Sequence, residues 1–179
     1  MTIKYRNYQR ESKDMKHKLI TKHPAIFITL DLEGRSRDEI LSNIASFAMR
    51  QGLIQDEQIL YRKFLERENQ GTTAIGNGVA LPEACWIQMS RPYAFILCRT
   101  KEPVSFNSLD GEPVRIVLAS LGRDRDDLSR LKPMSYLVRL LKATVSRSKL
   151  IRATSENKVI ELLKKHQNVP REVTNKPHH

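Results

Sequence analysis

The stretch Leu65–Ala84, LERENQGTTAIGNGVALPEA, closes an amphipathic run, passes Gly71, Gly76 and Gly78, and ends on a short apolar run stopped by Pro82. Its glycines free the backbone to approach a bound group closely, and the hydroxyls of Thr72 and Thr73 suit an oxyanion. The same composition also makes a plain connecting loop. Spacing alone does not choose between the two readings.

Working outward, the flanks read as regular elements. Ala25–Leu32 (AIFITLDL) is a run of β-favouring residues and predicts a strand, broken by Gly34. Ser36 with Glu39 three residues on is a capping box that opens a helix through about Arg50. Ile40, Leu41, Ile44, Phe47 and Ala48 fall on one face of that helix, and Gly52 serves as its C-cap. A second amphipathic helix covers about Asp56–Glu68, with Ile59, Leu60, Phe64 and Leu65 inward. Downstream, Tyr93–Cys98 (YAFILC) and Val114–Leu121 (VRIVLASL) are continuous apolar strands, with a turn at Asp110-Gly111 between them. After the loop RDRDD, one helix presents Met134, Leu137, Val138 and Leu141 on a face. A last helix begins near Thr154 or Ser155, with Val159, Ile160, Leu162 and Leu163 inward. Strand, two helices, strands and two helices without a repeat predict an α/β layered single domain.

Composition sets the class. The chain has 179 residues, 40% hydrophobic and 28% charged, which fits one soluble globular domain. No run of about 18 apolar residues predicts a membrane span, and the N-terminal stretch lacks the apolar region of a secretory signal. Cytoplasmic placement follows as the expectation, with Cys85 and Cys98 as buried thiols rather than a bridge. The formal charge of +11 is unevenly spread. Residues 1–23 hold seven Lys/Arg and two Asp/Glu, and residues 142–179 hold nine and three. Residues 24–141 hold fifteen of each. The division expected is a basic tail over 1–23, a folded domain over 24–166 and a disordered end over 167–179. The basic ends suit an anionic partner, whether nucleic acid, acidic lipid or acidic protein, and equally suit plain solvated charge.

Several chemistries are excluded. There is no Gly-Lys-Ser/Thr, no HExxH and no CxxC, and Gly76-x-Gly78 lacks the third glycine of a dinucleotide fingerprint. The five histidines are His17, His23, His166, His178 and His179, so the body from 24 to 165 contains none. Histidine acid–base catalysis, phosphohistidine and histidine–metal chemistry are thereby removed from the domain core. No cofactor and no metal are expected. Cys85 has no histidine near it in sequence to activate it.

The central segment resembles the signature of phosphotransferase-system enzyme IIA domains of the fructose, mannitol and nitrogen-regulatory type (type 2). The match runs through Arg67-Glu68, Thr72, Thr73, Ile75, Gly76, Gly78, Ala80, Leu81 and Pro82. It extends to Lys101–Phe106, to Asp110–Val117 and to the closing Ala153-Thr-Ser and Ile160-x-Leu-Leu, covering roughly residues 24–166. The resemblance implies a mixed β-sheet flanked by helices. It also implies a phosphocarrier role in which the histidine after the proline takes a phosphoryl group from a carrier protein. Here that position is Glu83, and the family's second histidine aligns with Arg130. Arg67, which faces the phosphoryl group in relatives, is retained, and Thr72, Thr73, Gly76 and Gly78 remain as the former phosphate-site scaffold.

The departure suggests a degenerate homologue with no confident catalytic residue. A carboxylate cannot form the P–N bond, so Glu83 is expected to pair with Arg67, with Arg130 as a further partner. Such a chain would be a regulatory pseudoenzyme acting through protein–protein binding to a phosphotransferase-system component, transporter domain, kinase or regulator. Glu83 would then either mimic the phosphorylated state or be a drifted remnant. The alternatives are a working phosphocarrier that forms an acyl phosphate on Glu83, and an adaptor that uses its basic ends on nucleic acid or membrane. Pro133 fits only the first turn of a helix, which places that helix start near Arg130 to Lys132.

Overall fold

The first apolar run, Ile26–Leu32 (β1), lies parallel to Tyr93–Val104 (β5), with Ile26 opposite Phe95 and Ile28 opposite Leu97. This is a computed structural model, and it describes residues 26–85, 87–124 and 128–167. Residues 1–25, 86, 125–127 and 168–179 lie outside the described residues, and with them the expected tail 1–23 and all but the first residue of the expected end 167–179.

Ser36 caps the helix Arg37–Arg50 (α1), its Oγ accepting the Glu39 N–H at 3.2 Å. The reciprocal bond differs from the expected box: Glu39 accepts the N–H of Arg35, at 2.8 Å, one residue before the cap. Gly52, with φ +67°, follows the C-cap Gln51, a conformation that costs a side chain with Cβ about 1–2 kcal/mol. Asp56 caps the helix Glu57–Glu68 (α2) by accepting the N–H groups of Gln58 and Ile59. Ile59 is 42% exposed, against expectation, because only Leu60, Phe64 and Glu68 of this helix turn fully inward.

The antiparallel pair of β5 and Val114–Gly122 (β6) forms the centre of the sheet. Ala74–Gly76 (β2) and Val79–Ala80 (β3) make a short hairpin, and β3 runs parallel to β6. Among the described residues the strand order is β1-β5-β6-β3-β2, with Glu83–Ala84 (β4) also parallel to β6. Val79 faces Ile116 and Glu83 faces Ser120, so β3 and β4 keep one register along β6. Pro82 has no N–H to give the ladder, which splits a single line of pairing into two pieces. Its carbonyl still accepts the Ser120 N–H at 2.9 Å. The sheet is mixed, as the resemblance implies.

Helices cover both faces. α1 and α2 bury Ile40, Leu41, Ile44, Leu60 and Phe64 against Ile96, Cys98, Val117 and Ala119. Leu131–Lys142 (α3), Thr144–Ile151 (α4) and Glu156–Gln167 (α5) bury Leu137, Leu141, Leu150, Val159 and Leu163 against Phe95, Leu97, Ile116 and Leu118. Alternate residues of β5 and β6 thus enter opposite cores, which is why both strands read as unbroken apolar runs. Pro133 occupies the third position of α3, and a 3-10 turn over Leu128–Arg130 leads into it. Leu140 is buried where Met134 and Val138 are only half-buried, and Ile160 of α5 is 37% exposed.

α4 adds a helix that periodicity does not announce, since only Ser146 and Leu150 of its eight residues are buried. Its C-terminal end is fastened to the sheet by Arg99 of β5. That guanidinium donates to the carbonyls of Ile151 (2.9 Å) and Ala153 (2.5 Å) and pairs with Asp31 at 2.8 Å. Cys85 and Cys98 form no disulfide: Cys98 is buried, and burial pushes its thiol pKa well up, whereas Cys85 is only half-buried. No helix among the described residues is long and apolar enough to cross a membrane.

Candidate functional site

The register of β4 on β6 sets Glu83 beside Ser120, and the 3-10 turn brings Arg130 onto the same spot. Arg130 Nη1 donates to Glu83 Oε1 at 2.6 Å and lies 3.4 Å from Ser120 Oγ. The Cys85 thiol is 3.5 Å from the same Glu83 oxygen. The pair is asymmetric in exposure: the Arg130 side chain retains 10% of its accessible surface and that of Glu83 retains 32%. Arg130 is also the N-cap of α3, a helix with no acidic residue in its first turn and no side-chain capping bond. A cation at the positive end of a helix dipole is unfavourable, so the Glu83 carboxylate compensates both the guanidinium and the helix terminus.

Arg67 does not take the role expected of it. α2 packs against β4, yet the Arg67 guanidinium turns back and donates to the Gly71 carbonyl at 3.0 Å. It stands in the last turn of α2, where carbonyls left without helical partners draw a cation. The expectation that Glu83 pairs first with Arg67 is therefore corrected: the partner found is Arg130.

The two threonines are likewise engaged within the protein. Thr72 donates its hydroxyl to the Phe106 carbonyl at 2.6 Å and accepts the Ala74 N–H at 3.1 Å. Thr73, buried, donates to the carboxylate of Glu68, which also accepts the Thr73 N–H. Their hydroxyl protons point into the scaffold rather than toward an oxyanion.

Gly76 and Gly78 serve a turn. Asn77 and Gly78 both have positive φ (55° and 71°) and link β2 to β3 as a two-residue hairpin loop. Asp110 from the β5–β6 connection braces it, accepting the Asn77 N–H at 2.7 Å, the Glu112 N–H at 3.1 Å and the Ser108 hydroxyl. Those bonds, the Ser108 hydroxyl foremost, hold the Asp110 carboxyl below its ordinary range. A Cβ on Gly76 would lie 2.8 Å from Asp110 Oδ2, so the glycine admits the carboxylate rather than a ligand. Ser120 and Asn77 escaped the sequence reading, and Asp110 entered it as a turn residue and a motif match, without its bonds to the hairpin. The Asn-Gly dipeptide flanked by apolar residues was the available signal for the hairpin, and Ser120 is the one hydroxyl in the run VRIVLASLG.

The chain compares closely with one group of proteins. The family described as "Phosphoenolpyruvate-dependent sugar phosphotransferase system, EIIA 2" matches residues 23–166. The PTS system fructose-specific EIIABC component of Bacillus subtilis is 30% identical over 148 residues, 83% of this chain and 23% of that protein. The nitrogen regulatory protein of Bradyrhizobium diazoefficiens is 33% identical over 88 residues, 49% of this chain and 57% of that protein. This chain therefore spans less than two thirds of the length of either relative. The crystal structure of nitrogen regulatory protein IIA-Ntr from Neisseria meningitidis superposes with a TM-score of 0.68 at 25% identity, covering 76% of this chain and 92% of that one. With a family match over most of its length and the mixed sheet between two helical layers, this chain belongs to the phosphotransferase-system EIIA type 2 family.

Proposed function

We propose that this chain is an EIIA-like regulatory module that binds a protein partner and does not carry phosphohistidine. The observation that carries the reading is the 2.6 Å ion pair between Glu83 and Arg130 in a body without histidine from 24 to 165. At the position where the resemblance implies a phosphoaccepting imidazole, Glu83 offers no nitrogen. Its oxygen is held by a guanidinium that is almost fully buried. To attack a phosphoryl group, that carboxylate would have to give up its ion pair with the Arg130 guanidinium, an unfavourable step. Relatives named nitrogen regulatory proteins support a regulatory role, and they stand beside relatives named fructose-specific PTS components.

The test is intact mass after incubation of the full chain with phosphoenolpyruvate and the two general phosphotransfer proteins, with a histidine-bearing EIIA domain as positive control. The expected result is an unmodified chain beside a modified control. A phosphoryl adduct on Glu83 overturns the reading and establishes acyl phosphate formation instead.

A further inference from the structure

Charge is distributed very differently over the two helical layers. The layer of α1 and α2, residues 37–68, holds five Lys/Arg and six Asp/Glu, with Arg37 paired to Asp38 and Lys63 to Glu66. On the other side of the sheet, the 28 residues from Leu128 to Ser155 hold seven Lys/Arg and no Asp/Glu. Two of the seven are engaged: Arg130 with Glu83, and Arg147 with the carbonyls of Leu141 and Lys142 at the end of α3. The other five, Lys132, Arg139, Lys142, Lys149 and Arg152, are exposed. None forms an ion pair among the described residues.

Their spacing gives each helix an exposed basic stripe. Lys132, Ser135, Arg139 and Lys142 recur at intervals of three, four and three, one exposed stripe along α3. On α4, Lys149 follows Val145 by four residues and precedes Arg152 by three, a second exposed stripe. Aliphatic side chains stand among these cations: Leu131 is 53% exposed and Val145 66%. The layer offers no exposed aromatic ring, since its Tyr136 is half-buried with its hydroxyl donated to the Leu163 carbonyl. α5 is mixed, with Glu156 and Glu161 among its lysines, and forms no part of this surface.

We propose that the outer face of α3 and α4 docks on an anionic membrane surface. Unpaired cations gain from the negative potential of acidic headgroups, and protruding aliphatic side chains enter the boundary between headgroups and acyl chains. A nucleic-acid strand would use the cations but would leave Leu131 and Val145 without a partner, and it would find no ring to stack on.

The experiment is cosedimentation of the full chain with vesicles of phosphatidylcholine mixed with phosphatidylglycerol, and with vesicles of phosphatidylcholine alone. Binding is expected only to the mixed vesicles and should weaken as salt is added. The triple substitution K132Q/R139Q/K149Q is expected to lower partitioning ~100-fold, at about fivefold per cation. The triple R35Q/R50Q/R62Q, which removes the same charge from the other side of the molecule, should leave partitioning near that of the wild type. An unchanged thermal midpoint in both variants confirms that folding is retained. Absence of wild-type binding to the mixed vesicles overturns the proposal. So does equal binding by the K132Q/R139Q/K149Q variant, or tighter binding to single-stranded RNA or duplex DNA than to vesicles at the same ionic strength.

Discussion

At the scale of single residues, the Glu83–Arg130 pair is unequal, and that inequality is measurable. Removing Glu83 leaves a guanidinium of 10% side-chain exposure at a helix N-terminus, whereas removing Arg130 leaves a carboxylate that solvent already reaches. Breaking a fully buried pair from one side costs about 3–5 kcal/mol, and with Glu83 a third exposed we expect about 2 kcal/mol for Glu83→Ala. Arg130→Met, which replaces the buried charge by a flexible apolar side chain, should cost about 1 kcal/mol. Urea denaturation of both variants decides the order, and the reverse order would show that Glu83 is the more deeply committed partner. The identities at positions 83 and 130 were legible in sequence because they stand in a recognisable motif. The order of partners was not: Arg130 was expected only as a further partner of Glu83, because the resemblance sets Arg67 facing the phosphoryl group. Its diversion to the Gly71 carbonyl depends on where α2 stops. For the threonines the choice between oxyanion and loop was open in sequence, because their acceptors, Phe106 and Glu68, are set by the folded chain.

At the scale of elements, the β2–β3 hairpin depends on a carboxylate from elsewhere in the sequence. Asp110 is held below the ordinary carboxylate range by the Ser108 hydroxyl first and by the N–H groups of Asn77 and Glu112. A depressed folded value means that its contribution to stability is fully present above the unfolded pKa. It is lost as pH falls through the folded value, a window below about pH 4. The wild type should therefore lose thermal stability faster on acidification than Asp110→Asn, the two curves converging at the acid end. Parallel curves down to about pH 2 would mean that the turn does not depend on the ionised group. The long elements were readable from periodicity and caps, as α1 with Ser36 and Gly52 shows. α4 was not, because eight residues with two buried positions carry too little pattern. What holds it is tertiary: Arg99 at its C-terminal end and Arg147 bridging back to α3.

At the scale of the molecule, one sheet separates two cores with different helices. Phe64 and Leu141 are both essentially unexposed, one in each core. Phe64→Ala should cost about 3–5 kcal/mol and Leu141→Ala about 2–5 kcal/mol. Because they lie on opposite faces and share no cluster, the double variant should be additive within about 0.5 kcal/mol, provided it still folds enough to measure. A larger coupling energy from denaturation would show that the sheet transmits packing strain between the cores. The pairing of β1 with β5 also has a consequence in time. Ile26 meets Phe95, so the first strand waits for a partner 69 residues further along. At ~5–20 residues per second, a nascent chain holds IFITL without its neighbour for roughly 3–14 s. Over that interval α1 and α2 can form locally while their sheet is still being made. Val79 and Glu83 wait only 37 residues for Ile116 and Ser120, so the edge strand has the longer wait, and the speed of translation decides for how long.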